Sequence, residues 1–412
     1  MIAISLSPNT EKEDVLLALR LLFSPWRFFT TESIRLLEQW FRQYFDVPYA
    51  VSFNSGRSSL YAILKTIGVS KGDEIILQSF TCVAVPNSII WTGAIPVYAD
   101  IKPSLTMDLG SLKKKITKKT KAIVIQHTFG IPADIATIMD IAKEHKLFVI
   151  EDCAHGIGID YKNKLLGLFG DAAFFSFGRD KAFSSVFGGM VITKNRNFGK
   201  KLRIFEKNLK EPGFVWTIRQ IFHPIAFSLI LPLYDFFSLG KILLVILQKL
   251  RFLSFPVSYK EKIGESKPSF VAKLPEPLAC LALQQIRKIK EFNKGRLDIS
   301  TYYLSQLKSL DFDIPYDKLI PFLRFPVLVE NRDTLSSFFK KNKIYLGDWY
   351  SNIIDPKGVD FEKIGYEKAS CPKASYYASK IINLPTYPTM TMDDAKKVVD
   401  LLKEYASNKR NN

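Results

Sequence analysis

Cysteine is scarce: four residues in 412, at positions 82, 153, 280 and 371, with no CxxC or Cys/His ligand spacing among them. That pattern argues against a disulfide framework and a zinc site, and for a reducing, cytoplasmic setting with no metal. Acidic residues are also in deficit. Forty Asp+Glu face 58 Lys+Arg, a net charge of +18. Such a surplus fits nucleic acid, an anionic membrane face or phosphorylated small molecules, and its sign alone does not choose among them. No nucleic-acid-binding motif accompanies the basic residues, so nucleic acid is not an expected partner. The opening residues lack the basic-then-apolar pattern of a secretory signal, and no internal repeat or low-complexity tract occurs. With 47% hydrophobic and 24% charged residues, the composition is that of a globular chain of two to three domains.

Short apolar runs at 49–53, 74–77, 95–98, 122–126, 148–150 and 172–177 read as strands. Helical patterns alternate with them at 60–67, 80–91 and 135–144. This spacing predicts an α/β fold with right-handed βαβ crossovers and a mainly parallel sheet, with ligands at the carboxyl ends of the strands. Residues 13–45 read as two helical pieces separated by Pro25, and 278–292 as one helix. The expected layout is an N-terminal helical segment (1–45), a large domain (46–289) interrupted by an insertion at about 212–258, and a smaller α+β domain (290–412). Helix 333–341 and strand 327–329 belong to the last, with Pro326 marking a strand start or sheet edge.

The chemistry concentrates in 148–189. Phe148, Val149 and Ile150 stop at Glu151 and Asp152, as a buried parallel strand does where its end opens on a site. Lys181 follows the next strand among Phe174, Phe175, Phe177 and Phe183, a setting that desolvates the amine and lowers its pKa. A strand-end acid is commonly a helix cap and a lysine commonly solvated, so neither residue carries the argument alone. Together they match what pyridoxal phosphate requires: a lysine for the Schiff base and a carboxylate for the pyridinium nitrogen. The polar turn Asn54-Ser55-Gly56-Arg57-Ser58 opens a helix, an arrangement that suits a phosphate, although Ser55 reads equally as an ordinary N-cap. His127, His155 and Ser176 fall at strand ends too, and His155 reads equally as a core histidine.

These motifs resemble those of the DegT-type sugar aminotransferases, fold-type I pyridoxal-phosphate enzymes that aminate keto sugars, usually nucleotide-linked. The similarity runs through Ser55-Gly56-Arg57-Ser58, His127-Thr128-Phe129-Gly130, Glu151-Asp152-Cys153-Ala154-His155, the Ser176/Lys181 spacing and Leu384-Pro385-Thr386. It implies a seven-stranded-type large-domain sheet and a homodimer. It makes Lys181 and Asp152 catalytic, and Gly56, Arg57, Ser58 and Ser176 the holders of the cofactor phosphate. It puts His155, where the family commonly has glutamine, near the ring and its 3-hydroxyl. Cys82 stands where an aromatic often covers the ring. A lysine at 181, where the dehydratase branch has histidine, implies transamination from a donor such as glutamate, in cell-surface glycan or related sugar biosynthesis. Another carbanion or acyl-transfer reaction, and a membrane-attached binding protein without turnover, are the alternatives. Two departures stand out: Val186-Phe187 replaces the usual Gly-Glu, and no Asn-Tyr-Arg-like segment for the partner's cofactor precedes Leu274.

The stretch 211–259 leaves the family pattern. Its longest run without a charged residue is 220–234, 15 residues, which as a helix is about 22 Å long, short of a bilayer's hydrocarbon core of ~30 Å, and Pro224 and Pro232 are expected to interrupt it. Residues 196–262 hold 12 Lys+Arg against 4 Asp+Glu, or +8. Peripheral docking on an anionic membrane face is one reading; a hairpin packed on its own domain or on a partner subunit is the other.

Overall fold

A computed structural model describes residues 1–265, 270–310, 312–316 and 318–410. Its centre is a seven-stranded sheet: β1 (Tyr49–Phe53), β2 (Glu74–Gln78), β3 (Ile95–Ala99), β4 (Thr120–Gln126), β5 (Phe148–Asp152), β6 (Ala172–Ser176) and β7 (Gly189–Thr193). The spatial order is β1-β7-β6-β5-β4-β2-β3, and every pairing is parallel except the two that β7 makes. Both faces are covered, which is why these strands read as continuous apolar runs. Alternate residues separate cleanly: Val51, Leu77, Val124, Ile150 and Phe174 pack into one core, whereas Ile76, Ile123, Val149 and Phe175 pack on the opposite face. The carboxyl ends of β1, β4, β5 and β6 therefore converge on one edge of the sheet, where the expected site lies.

The N-terminal segment ties the molecule together. Helices Lys12–Leu22 and Glu32–Phe45 share a core with Phe175 and Ile192 of the central sheet, and Ile2–Ala3 pairs in parallel with Ile344–Tyr345 of the C-terminal part. Pro25 opens a short 3-10 turn between the two helices, as expected. In the C-terminal part, among the described residues, Phe325–Leu328 pairs antiparallel only with Ile381–Leu384, apart from a single bridge to Asp313, so Pro326 does sit in an edge ladder.

Three elements differ from the sequence expectation. The 80–91 segment is two pieces: Thr81–Cys82 is a short strand paired with Ile354–Asp355, and the helix is Ala84–Ile90. The pairing with a distant loop pulls Cys82 out of helical geometry. The 278–292 helix is likewise two helices, Glu276–Ile286 and Ile289–Leu307. Finally, the prolines do not break the insertion. Its first helix runs from Phe214 to Leu233, 20 residues, with Pro224 and Pro232 inside, and a second runs from Leu239 to Lys249. Tertiary packing overrides the proline penalty: Thr217, Gln220, Ile221, His223, Pro224 and Phe227 are all buried. Among the described residues, Phe214–Leu233 is the one helix long and apolar enough to cross a membrane, yet this buried flank makes it a packing helix of the domain.

Candidate active site

A cavity of about 380 Å³ lies at the strand ends, lined by Ser55, Gly56, Arg57, Cys82, Asp152, His155, Ser176 and Lys181 among others. This size suits a small-molecule site. Lys181 sits in the loop between β6 and β7. That loop is pinned at both ends: Phe177 donates its N–H to the Gly188 carbonyl (2.8 Å), Ser185 donates to the Phe177 carbonyl (3.0 Å), and the buried Asn9 amide donates to the Lys181 carbonyl. The Lys181 Nζ lies 2.9 Å from His155 Nε2 and 4.7 Å from the centre of the Trp349 ring. Burial lowers the lysine pKa, against the opposing pull of Cys82 and Asp152. A larger share of neutral, nucleophilic amine follows.

Asp152 ends β5, buried, with Oδ1 accepting the Ala154 N–H at 3.0 Å. Burial raises its pKa, partly offset by that N–H and by Lys181 and His127. A positively charged ring nitrogen beside it would favour the ionised form. Its neighbour Glu151 faces away: its carboxylate accepts N–H bonds from Gly167, Phe169 and Gly170, and His127 Nε2 lies 3.2 Å from it. Because His127 Nδ1 accepts the Ala133 N–H, Nε2 carries the proton and donates to Glu151. The strand-end His127 is thus structural: in the buried His127–Glu151–Cys153 cluster, the histidine and the carboxylate are engaged with each other and with backbone N–H groups.

The same reasoning fixes His155. Its Nδ1 accepts the Phe129 N–H at 3.1 Å, so in the neutral ring Nε2 is the donor that points at Lys181. Burial, with Lys181 and Arg324 adding, holds its pKa well below the usual histidine value, so the ring is neutral at physiological pH. It stacks between Phe129 and Trp349, at 6.0 and 5.4 Å. A glutamine amide at this position could offer the same kind of fixed neutral N–H donor. His155→Gln is expected to keep activity within about tenfold, whereas His155→Phe, which stacks but cannot donate, should lose more than tenfold, since an unmet buried polar group costs about 1–3 kcal/mol. Parallel half-reaction rates on the two variants check this.

The Asn54–Ser58 turn is only partly as expected. Ser55 is a true N-cap, accepting the Ser58 N–H at 3.2 Å. Gly56 lies so close to Ser176 that a Cβ would fall 2.9 Å from the serine Cβ, and a Cβ on Gly189 would fall 2.5 Å from the Ser55 carbonyl. Both glycines are therefore required for the turn to seat on β6 and β7. Ser58 does not reach the cavity. It is fully buried, with its hydroxyl donating to Asn54 Oδ1 at 2.6 Å. Arg57 lines the cavity, ion-paired with Glu261 and donating to the Pro256 carbonyl at 2.6 Å.

Four groups that strand-end reasoning did not supply complete the walls. Arg179, its pKa lowered to about 10 by burial, donates through Nη1 to the Ser254 carbonyl at 2.5 Å. Ser254 in turn donates to Gln220 in the insertion at 2.7 Å. Trp349 forms a wall, backed by the buried Arg324 stacked 3.6 Å from its ring centre. Val186, in the place of the usual glycine, has φ +72, a backbone region disfavoured for a β-branched residue. Asp355, across the cavity, has its carboxyl pushed up to about 7 by burial, with Asp348 adding and Arg324 opposing. Folded protein therefore binds this proton more tightly than the unfolded chain. Its contribution to stability is complete below about pH 4 and is lost as pH rises through about 7. Asp355→Asn should accordingly gain up to about 4 kcal/mol over wild type on going from about pH 4 to about pH 8 in thermal or urea unfolding.

An acid at the end of β5 and a lysine in the loop that follows the adjacent parallel β6, with a glycine-lined turn at a helix N-terminus, define a fold-type I pyridoxal-phosphate enzyme, and the residues present fit that cofactor. The sequence matches the DegT/DnrJ/EryC1/StrS aminotransferase family over residues 9–223 and 241–403, and the chain belongs to that family. It is a pyridoxal-phosphate-dependent aminotransferase, similar to enzymes that act on sugars. It is 29% identical over 393 residues to GDP-perosamine synthase of Vibrio cholerae, covering 93% of each chain. It is 26% identical over 408 residues to the spore coat polysaccharide biosynthesis protein SpsC of Bacillus subtilis, covering 96% of this chain and 95% of that one. The crystal structure of NtdA from Bacillus subtilis with bound PMP has the same fold, with a TM-score of 0.74 at 20% identity, over 99% of this chain and 85% of that one.

Proposed function

We propose that this enzyme moves an amino group from glutamate to a keto sugar carried on a nucleotide, as a cytoplasmic homodimer, in the synthesis of a cell-surface glycan. The observation that carries the reading is the meeting of Lys181, His155 and Asp152 in one cavity. The similarity to a GDP-perosamine synthase favours a nucleotide-linked sugar over a free one. When bound, pyridoxal phosphate supplies a ring that takes up the electron pair left when a substrate carbon loses its proton. The chain's own residues do the rest. Lys181, with its pKa lowered by burial, is the amine that would hold the cofactor, and its Nζ is placed to take and return a substrate proton. Asp152 would supply the carboxylate that favours a protonated ring nitrogen, and His155 would supply an Nε2–H donor to the bound group. Arg57, Ser55, Ser176 and the backbone at Gly56 line the end suited to a phosphate.

Mixing the holoenzyme with glutamate should replace the absorbance of the lysine-bound cofactor with that of the amine form, and a nucleotide-linked keto sugar should reverse the change. A protein that takes up no cofactor overturns the reading. One that takes it up, yet ignores every amino donor, points instead to other carbanion or acyl-transfer chemistry.

A further inference from the structure

The second helix of the insertion, Leu239–Lys249, packs on the first through Leu243, Leu244 and Leu247. Its outer stripe is apolar as well: Leu239, Ile242, Val245, Ile246 and Leu250 are 46–61% exposed. These positions recur at helical spacing and form a single face. Exposed Phe236 and Phe237 precede the helix, and exposed Phe252 and Phe255 follow it, the last directly before Pro256 of the cavity wall. So much contiguous apolar surface on a folded chain marks a contact site. The family match omits 224–240, so the Phe236-Phe237 tip is an addition to the common plan.

Charge identifies the occupant. Residues 213–259 contain Arg219, Lys241, Lys249 and Arg251 against one acid, Asp235. That acid is engaged elsewhere, accepting the Tyr345 hydroxyl at 2.6 Å and lying 3.5 Å from Lys241. A second copy pressed on the same face would bring Lys249 and Arg251 of both chains together with no carboxylate to meet them. An anionic lipid surface supplies the missing charge and buries the apolar stripe. We infer that this stripe lies in the plane of an anionic phospholipid surface, holding the enzyme peripherally with the Phe255–Pro256 edge of its cavity near the lipid.

Flotation of the holoenzyme with vesicles of equal parts phosphatidylcholine and phosphatidylglycerol tests this. Wild type should float with them and much less with phosphatidylcholine alone. Ile242→Glu with Ile246→Glu should reduce flotation at least about tenfold while leaving cofactor absorbance unchanged, because both side chains point outward. Lys249→Glu with Arg251→Glu, which leaves the apolar stripe intact, should reduce binding to the anionic vesicles about tenfold and be insensitive to their charge. Wild type that stays unbound, or variants that float as well as wild type, would overturn the inference. A change from dimer to monomer in light scattering on the isoleucine variant, with no wild-type flotation, would give the face to a second copy instead.

Discussion

Lys181→Ala is expected to lose the absorbance of the lysine-bound cofactor and to lower turnover by about 10⁴-fold or more, since one side chain supplies both the nucleophilic amine and the proton transfer. The structure gives reasons for each loss. The amine is held 2.9 Å from His155 Nε2 and burial lowers its pKa, which raises the share of neutral amine able to attack. Alanine has no group that reaches the same point, and Lys262, which also lines the cavity, donates to the Lys357 carbonyl at 2.9 Å. The variant should still hold the cofactor non-covalently, because the Ser55–Gly56 turn, Ser176 and Asp152 are untouched. Retained cofactor on gel filtration with a vanished Schiff-base band is therefore the expected pair of results. Survival of that band would mean that another amine does the work.

The pH dependence follows from the same burial. Covalent reloading of the apoenzyme should become efficient at a pH below that at which a free lysine loses its proton, and His155 should contribute no limb of its own near neutrality, since it is already uncharged there. Rates of reloading across a pH series check both statements.

Legibility from sequence differed along the chain for physical reasons. The strands were readable because a sheet covered on both faces demands unbroken apolar runs, and β5 and β6 supply them. Asp152 and Lys181 were readable because each lies at or just past such a strand, where local pattern and site position coincide. Ser58, which the resemblance made a holder of the phosphate, does not line the cavity as Ser55, Gly56 and Arg57 do. Its own hydroxyl is satisfied by Asn54, a detail of side-chain direction that spacing does not carry. Asp355 and the contact between Arg179 and Ser254 were invisible, since they are created by a loop of the C-terminal part and by the insertion folding back. Pro224 shows the limit of propensity. It reads as a break, yet the helix continues through it because its neighbours Gln220, Ile221 and His223 are buried against the domain.

Asp152→Asn separates electrostatics from binding. Asparagine keeps the shape and can still accept the Ala154 N–H that Asp152 Oδ1 now accepts, so the fold of the β5 end should survive. What disappears is the charge that holds a proton on the ring nitrogen through a charge-assisted hydrogen bond, roughly twice as strong as a neutral one. A preorganised electrostatic contact of this kind, buried where water cannot replace it, is worth about 10²–10³ in rate. The variant should therefore bind cofactor and show the lysine-linked absorbance, yet transfer the amino group from glutamate about 10²–10³ more slowly. Its residual rate should also fall as pH rises, because the ring nitrogen would now release its proton to solvent, whereas wild type should not show that fall. Asp152→Glu restores the charge on a longer arm and should recover part of the rate. A wild-type rate in the asparagine variant would move the proton-holding role to another residue. A slow rate with no pH trend would mean that Asp152 acts by orienting the ring, not by charge.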